Sequence, residues 1–323
     1  MKAFTYKSAG SEEEAVKLLG QDAVALAGGT SLLNLMKEDV LAPAVVVNIK
    51  GIRGLDKVEA AAGGLRIGAN ATLAALLENE ALSKGYPALA QALATVGTPQ
   101  IRNAATLGGN LCAKTACWYY MHDGFACPKK GNPVGCPAKE GDNEQHAIFA
   151  TDAPCVSVHA SSAAPALVAL GAKVRIAGPA GAREIPLEEF FTIDRKDIPR
   201  ENVLRANEIV THVILGKANA KSATTVVLPK ASHDWPVAIA SAALDLQGGT
   251  VRGARICLGA VAPVPWRVQA AEQALAGKAV GEETASQAAD AAVSGAAPLS
   301  LNAYKVKTAR AAVKRAILAA AKG

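Results

Sequence analysis

The sequence predicts an α+β fold in three parts: a small βαβ unit, a domain of mixed sheet and helix, and a C-terminal sheet packed on helices. Three observations lead there. Half of the 323 residues are apolar and only 19% are charged, enough to bury more than one core. β-Branched runs alternate with helical patterns near the N-terminus. The end of the chain is Ala-rich, with Leu, Val and Ile recurring at helical spacing, which marks packed helices rather than disorder.

The elements follow in order. Ser11-Glu-Glu-Glu14 reads as a capping box opening a helix to about Leu19. A strand over Ala23 to Ala27 turns at Gly28-Gly-Thr-Ser31 into a helix over Leu32 to Lys37. The β-branched strand Ala44 to Ile49 completes the βαβ unit. A strand at Leu65 to Gly68 and helices near Thr72 to Glu80 and Pro87 to Val96 lead into a cysteine-bearing stretch of little regular pattern. Beyond it come a helix near Ala164 to Leu170 and a hairpin, Lys173 to Ile176 and Arg183 to Ile185, turned by Gly178-Pro-Ala-Gly181. Strands at Thr224 to Leu228, Ala238 to Leu246 and Val251 to Ala260 precede three Ala-rich helices.

Composition narrows the function. No apolar run reaches the roughly 18 to 20 residues that span a bilayer, and Met1-Lys-Ala-Phe-Thr-Tyr6 lacks the apolar core of a signal peptide. The expectation is a soluble protein of the cytoplasm, with a periplasmic home open if a signal-bearing partner exports it. The net charge of +6 raises the question of nucleic acid, but aromatics at 4% argue against base stacking. Part of the excess is Lys305, Lys307, Arg310, Lys314, Arg315 and Lys322, in a final segment without acids. A solvated helix face is the first reading and a docking face for an acidic partner the second.

Two glycine-bearing segments stand out. Ala27-Gly-Gly-Thr-Ser31 lies where a strand hands over to a helix, so its bare amides can face a pyrophosphate. It matches neither the Walker pattern nor the Rossmann fingerprint, and an ordinary tight turn accounts for it equally well. The second, Gly97 to Leu111, reads as a long polar loop in which Gly108 and Gly109 permit close approach and Thr106 and Asn110 offer hydrogen bonds. Two such loops can grip both ends of one dinucleotide.

Between Cys117 and Cys127 lie nine residues, then eight before Cys136 and eighteen before Cys155. Four thiolates within one loop can hold an iron–sulfur cluster or zinc, and the spacing alone leaves both open. His122, His146 and His159 are further zinc candidates, with surface or hydrogen-bonded roles the alternative. Clustering and the lack of a secretory signal place disulfides behind metal or redox use.

Ala27-Gly-Gly-Thr-Ser31 together with Gln100-Ile-Arg-Asn103 and Thr106-Leu-Gly-Gly-Asn110 resembles the FAD-binding medium subunit of the molybdenum hydroxylases, the xanthine and carbon monoxide dehydrogenase family. Ala164 to Leu170, Leu258 to Arg267 and Asn302-Ala-Tyr-Lys305 fit its landmarks in order, so the likeness covers essentially the whole chain. It implies a two-part FAD-binding domain, over 1–58 and 59–217, and a C-terminal domain, 218–323, of antiparallel sheet on a helix bundle. It implies that Ala27, Gly28, Gly29, Thr30, Ser31, Thr106, Gly108, Gly109 and Asn110 cradle FAD, and that Lys230 stands near the flavin. Two departures are Ser162, where the family usually has a cofactor-contacting Asp, and Ser232-His-Asp-Trp235, shorter than usual.

Cys117-Trp-Tyr-Tyr120 and the insertion over 112–156 resemble the flavin subunits of 4-hydroxybenzoyl-CoA reductase and the three-subunit bacterial aldehyde oxidoreductases. That likeness implies a [4Fe–4S] cluster on Cys117, Cys127, Cys136 and Cys155, with Cys112 and Cys257 as packing thiols. It also implies a molybdopterin-bearing large subunit, a [2Fe–2S] small subunit and an acceptor such as ferredoxin. Two other readings are a self-contained flavin oxidase and a zinc-stabilised nucleic-acid or scaffold protein.

Overall fold

The computed structural model of the chain describes residues 1–61, 63–231 and 233–323. Twelve strands among them form three sheets. β1 (Thr5–Ser8), β2 (Ala23–Leu26) and β3 (Val45–Asn48) make a parallel sheet with β3 in the middle. The helix Leu32–Lys37 links β2 to β3, which is the βαβ unit expected. β4 (Val58–Ala61), β5 (Gly64–Gly68), β6 (Lys173–Gly178), β7 (Gly181–Pro186) and β8 (Ile209–Leu215) form the second sheet in the order β4-β5-β8-β6-β7. Its pairings are antiparallel throughout. β9 (Ser222–Val227), β10 (Ala238–Gln247), β11 (Thr250–Gly259) and β12 (Trp266–Arg267) form the third, also antiparallel.

Local chemistry explains the element ends. Ser11 Oγ accepts the Glu14 amide at 3.1 Å, but the reciprocal bond of the expected capping box lands one residue early, with Glu14 Oε2 accepting the Gly10 amide at 2.8 Å. Thr72 caps Leu73–Glu78, and Pro87 stands in the first turn of Pro87–Ala94, where a missing N–H costs nothing. The expected long loop over Gly97 to Leu111 is instead two short helices, Pro99–Ala104 and Leu107–Leu111, capped by Thr98 and Thr106. At six and five residues they are too short to show a helical period.

The central core gathers β5, β6 and β8 with the helices Leu73–Glu78, Pro87–Ala94 and Ala163–Ala169. A second core lies between the third sheet and the helices Gln269–Leu275, Glu282–Val293 and Tyr304–Lys322. Ala309, Ala312, Val313, Ala316, Ile317 and Ala320 are fully buried along one stripe of the last helix, their small side chains letting it lie close on the strands. Lys305 corrects the reading of the tail as one solvated or docking face. It is fully buried, while Arg310 pairs with Asp290 at 2.5 Å and Lys314 with Glu282 at 2.7 Å. No helix among the described residues is long and apolar enough to cross a membrane.

Candidate functional site

The two glycine segments, far apart in sequence, meet. A Cβ placed on Gly28 would stand 2.1 Å from the carbonyl oxygen of Ala104, two residues before Thr106. Gly29 takes φ +74°, which turns the chain from β2 into the helix Leu32–Lys37 and favours glycine. Among the described residues the N–H groups of Gly28, Gly29, Thr30 and Ser31 donate to no other protein group, and Ala27 and these four are partly exposed.

The second segment spends its donors internally. Thr106 Oγ1 accepts the Gly109 amide at 3.2 Å, and the Gly108 amide donates to Ala69 O at 2.8 Å. A Cβ on Gly108 would lie 2.7 Å from that of Ala69, so this glycine serves packing. Asn110 accepts Ser161 Oγ–H through Oδ1 at 2.6 Å. Ser161 Oγ also accepts the Ala164 amide at 3.0 Å, capping the helix Ala163–Ala169. Ser162, the residue singled out from the sequence, is buried and makes no capping bond. Ser161 is therefore the residue that ties this helix to the glycine segment. Its signal in the sequence was its place three residues before Ala164.

A cavity of about 310 Å³ is lined by Cys117, Trp118, His146, His159, Ala160 and Trp235 among others. Among the described residues Lys230 makes no ion pair with a residue of the glycine segments. It lies in the β9–β10 connection with its ammonium 3.6 Å from Asp234 and its side chain largely exposed. Of Ser232-His-Asp-Trp235, Ser232 lies outside the described residues, while Trp235 reaches the cavity wall.

Each of the four cysteines of the insertion lies within electrostatic reach of at least one other. Cys155 and Cys127 each disfavour the thiolate of Cys117, and Cys117 disfavours that of Cys136. Cys155 holds the Cys136 thiol down and Cys136 in turn pushes that of Cys155 up, with burial adding to it, while the Cys155 thiol donates to Ser157 Oγ at 3.2 Å. Burial pushes Cys117 up to about 11. Against that, each of the four has backbone N–H groups favouring its thiolate: Tyr120 and Tyr119 for Cys117, Lys129 and Lys130 for Cys127, Val156 and Ala138 for Cys136, and Ser157 for Cys155. Cys112, raised to about 12 by burial, and Cys257, also raised by burial, have no such N–H group acting on them. Among the described residues no group of three or more His, Cys, Asp or Glu side chains is drawn tightly enough to hold a metal ion as it stands.

The three histidines separate. His146 Nε2 lies 3.2 Å from Cys117 Sγ. His159 accepts the Ser161 amide through Nδ1 at 3.2 Å and packs edge-on against Phe191, while burial pulls its imidazole down to about 4. His122 is exposed beside Trp118. A buried ion pair absent from the sequence reading, Lys129 to Glu201 at 2.9 Å, fastens the cysteine segment to the 192–204 loop. Pairs of that sequence separation leave no local signal.

The family described as FAD binding domain in molybdopterin dehydrogenase matches residues 2–217, and the CO dehydrogenase flavoprotein C-terminal domain matches 224–320. The chain belongs to this family of FAD-binding medium subunits and is an oxidoreductase flavoprotein component. It is similar to the aldehyde oxidoreductase FAD-binding subunit PaoB of Escherichia coli (strain K12), with 33% identity over 315 residues and 96% of each chain covered. The carbon monoxide dehydrogenase medium chain of Hydrogenophaga pseudoflava is 29% identical over 324 residues, covering 98% of this chain and 96% of that one. Among solved structures, quinoline 2-oxidoreductase from Pseudomonas putida 86 superposes with a TM-score of 0.77 at 27% identity, over 100% of this chain and 99% of that one.

Proposed function

We propose that the chain is the FAD- and [4Fe–4S]-binding electron-transfer subunit of a heteromeric molybdenum hydroxylase, divided near residues 58 and 217. The observation that carries this reading is the contact of Gly28 with Ala104, which sets the undonated amides of the first segment beside the second. Bare N–H groups gathered there suit the phosphates of a dinucleotide. The two segments then divide the work. Gly28, Gly29, Thr30 and Ser31 present amides, and Ala27 leads the strand into them. Thr106, Gly108 and Gly109 shape a close backbone approach, because their own donors and acceptor are already used. Asn110, oriented by Ser161, keeps its Nδ2 for the cofactor. Ser162 and Lys230 complete the set, Lys230 through the connection whose Trp235 lines the cavity.

The donor chemistry of the insertion fits an iron–sulfur cluster: four thiols on one segment, each with backbone N–H groups that stabilise a thiolate. Cys117, Cys127, Cys136 and Cys155 would hold it. When bound, the flavin supplies one- and two-electron transfer and the cluster single-electron transfer. The residues of this chain position the two groups, exclude water from them and set their potentials. Partners follow from the printed names of its relatives, which are medium chains and FAD-binding subunits. We assign the substrate chemistry to a large molybdopterin-bearing subunit, wiring to a small [2Fe–2S] subunit, and electron release to a ferredoxin or another acceptor.

The test is co-expression with the neighbouring subunits, anaerobic purification, and analysis of flavin and metal. About one FAD per chain is expected in a yellow-brown protein, with about four irons per chain beyond the two that each [2Fe–2S] cluster of the small subunit brings. A colourless protein carrying zinc and no flavin would overturn the reading.

A further inference from the structure

One contact in the insertion is used neither by the glycine segments nor by the four thiols alone. His146 Nε2 lies 3.2 Å from Cys117 Sγ, the residue is 6% exposed, and Nδ1 has no hydrogen-bond partner. The backbone of His146 is pinned on both sides. Its N–H donates to Asn143 O at 3.0 Å, and its carbonyl accepts from Asn302 Nδ2 at 3.2 Å and Lys305 Nζ at 2.9 Å. The Tyr119 ring stands 6.1 Å away and limits the turning of the imidazole. The ring is thus carried to the sulfur by a fixed stretch of chain, and it also lines the cavity.

We propose that His146 is a positioning residue for the cysteine cluster, donating Nε2–H to the Cys117 sulfur and raising the reduction potential of the [4Fe–4S] group held there. The inference rests on the cluster reading above. Reduction adds an electron that is shared onto the cysteine sulfurs, so a donor aimed at one sulfur stabilises the reduced state more than the oxidised. A neutral imidazole has one N–H, and placing it on Nε2 leaves Nδ1 as the bare nitrogen, in keeping with its lack of a partner. Cys155 has no such imidazole: its thiol donates to Ser157 Oγ at 3.2 Å. No second imidazole reaches a thiol of the four among the described residues.

The experiment is an EPR-monitored redox titration of the anaerobically purified complex with His146→Phe and His146→Gln. Phe keeps the ring volume and removes the donor; Gln restores an N–H of similar reach. The Phe variant is expected to shift the midpoint potential to more negative values and the Gln variant to recover most of the shift. An iron-loaded Phe variant with the wild-type potential overturns this inference and leaves the cluster reading intact. Iron-free wild-type protein overturns both. Hyperfine spectroscopy of the reduced wild type labelled with ¹⁵N-histidine needs no variant: a coupled imidazole nitrogen is expected, and its absence overturns the proposal.

Discussion

At Gly28 a single methyl group decides whether two segments can meet. An alanine there would press its Cβ to 2.1 Å from a backbone carbonyl oxygen, an atom that cannot rotate away. We expect Gly28→Ala to lower flavin content markedly and to destabilise the fold by about 1–3 kcal/mol. Gly20→Ala, with nothing within 4 Å of its Cβ, should change neither. The flavin-to-protein absorbance ratio and thermal unfolding check both, and a fully flavinated Gly28→Ala protein would contradict the junction. The cysteines divide at the same scale. Cys127→Ala should abolish the cluster signal in EPR of the reduced protein, whereas Cys112→Ala should retain it, because only Cys127 has N–H groups favouring its thiolate. Glycines and cysteines were legible in the sequence because each type does little else so well. The exchange of roles between Ser161 and Ser162 was not, since adjacent serines differ only in where the backbone aims them.

Among the elements, the last helix is the most informative. Its alanine stripe was legible as a period, but the burial of Lys305 at its start was not, because a lysine in a basic segment reads as solvated. The three carbonyls that receive Nζ, from Gln145, His146 and Ala260 at 2.9, 2.9 and 2.7 Å, come from distant parts of the chain. Lys305→Met should strand those of Gln145 and Ala260, that of His146 keeping Asn302 Nδ2, and cost on the order of 3 kcal/mol in urea denaturation. Burial pulls the amine down to about 7 from its ordinary 10.5. Between those values the folded chain holds fewer protons than the unfolded one, so this lysine's contribution to stability is greatest above pH 10.5 and is lost as pH falls toward 7. The gap between wild type and Lys305→Met should widen across that window as pH rises. A gap that narrows would place the charged form as the preferred buried state. β8 shows a different limit of reading. Its β-branched run, Ile209 to Leu215, is plain, yet its place between β5 and β6 depends on pairings across the whole domain.

For the whole molecule, the cysteine insertion is the seam between the central and C-terminal cores rather than an outlying loop. Ile148 and Phe149 enter the C-terminal core, both amides donating to Val261 O, and Phe149 stacks on Trp266 with centroids 5.3 Å apart. Asn302, fully buried, donates from Nδ2 to the carbonyls of His146 and Ala147 at 3.2 and 3.0 Å and accepts the Leu299 amide at 2.7 Å. Asn143 in turn takes the Leu301 amide at 2.9 Å. The segment Asn302-Ala-Tyr-Lys305, noticed in the sequence only as a family landmark, therefore has a physical task, to hold the stretch that leads from Cys136 to Cys155. Asn302→Ala touches neither a cysteine nor a glycine segment. It should speed amide hydrogen exchange over residues 143–148 by about tenfold or more, the mark of a local opening near 1.4 kcal/mol easier. Iron per chain should fall with it while flavin per chain stays at the wild-type level, because the opening lies on the cysteine side of the molecule. If flavin were lost in step with iron, the two sites would be one cooperative unit and the insertion would be as central to the flavin fold as the sheets themselves.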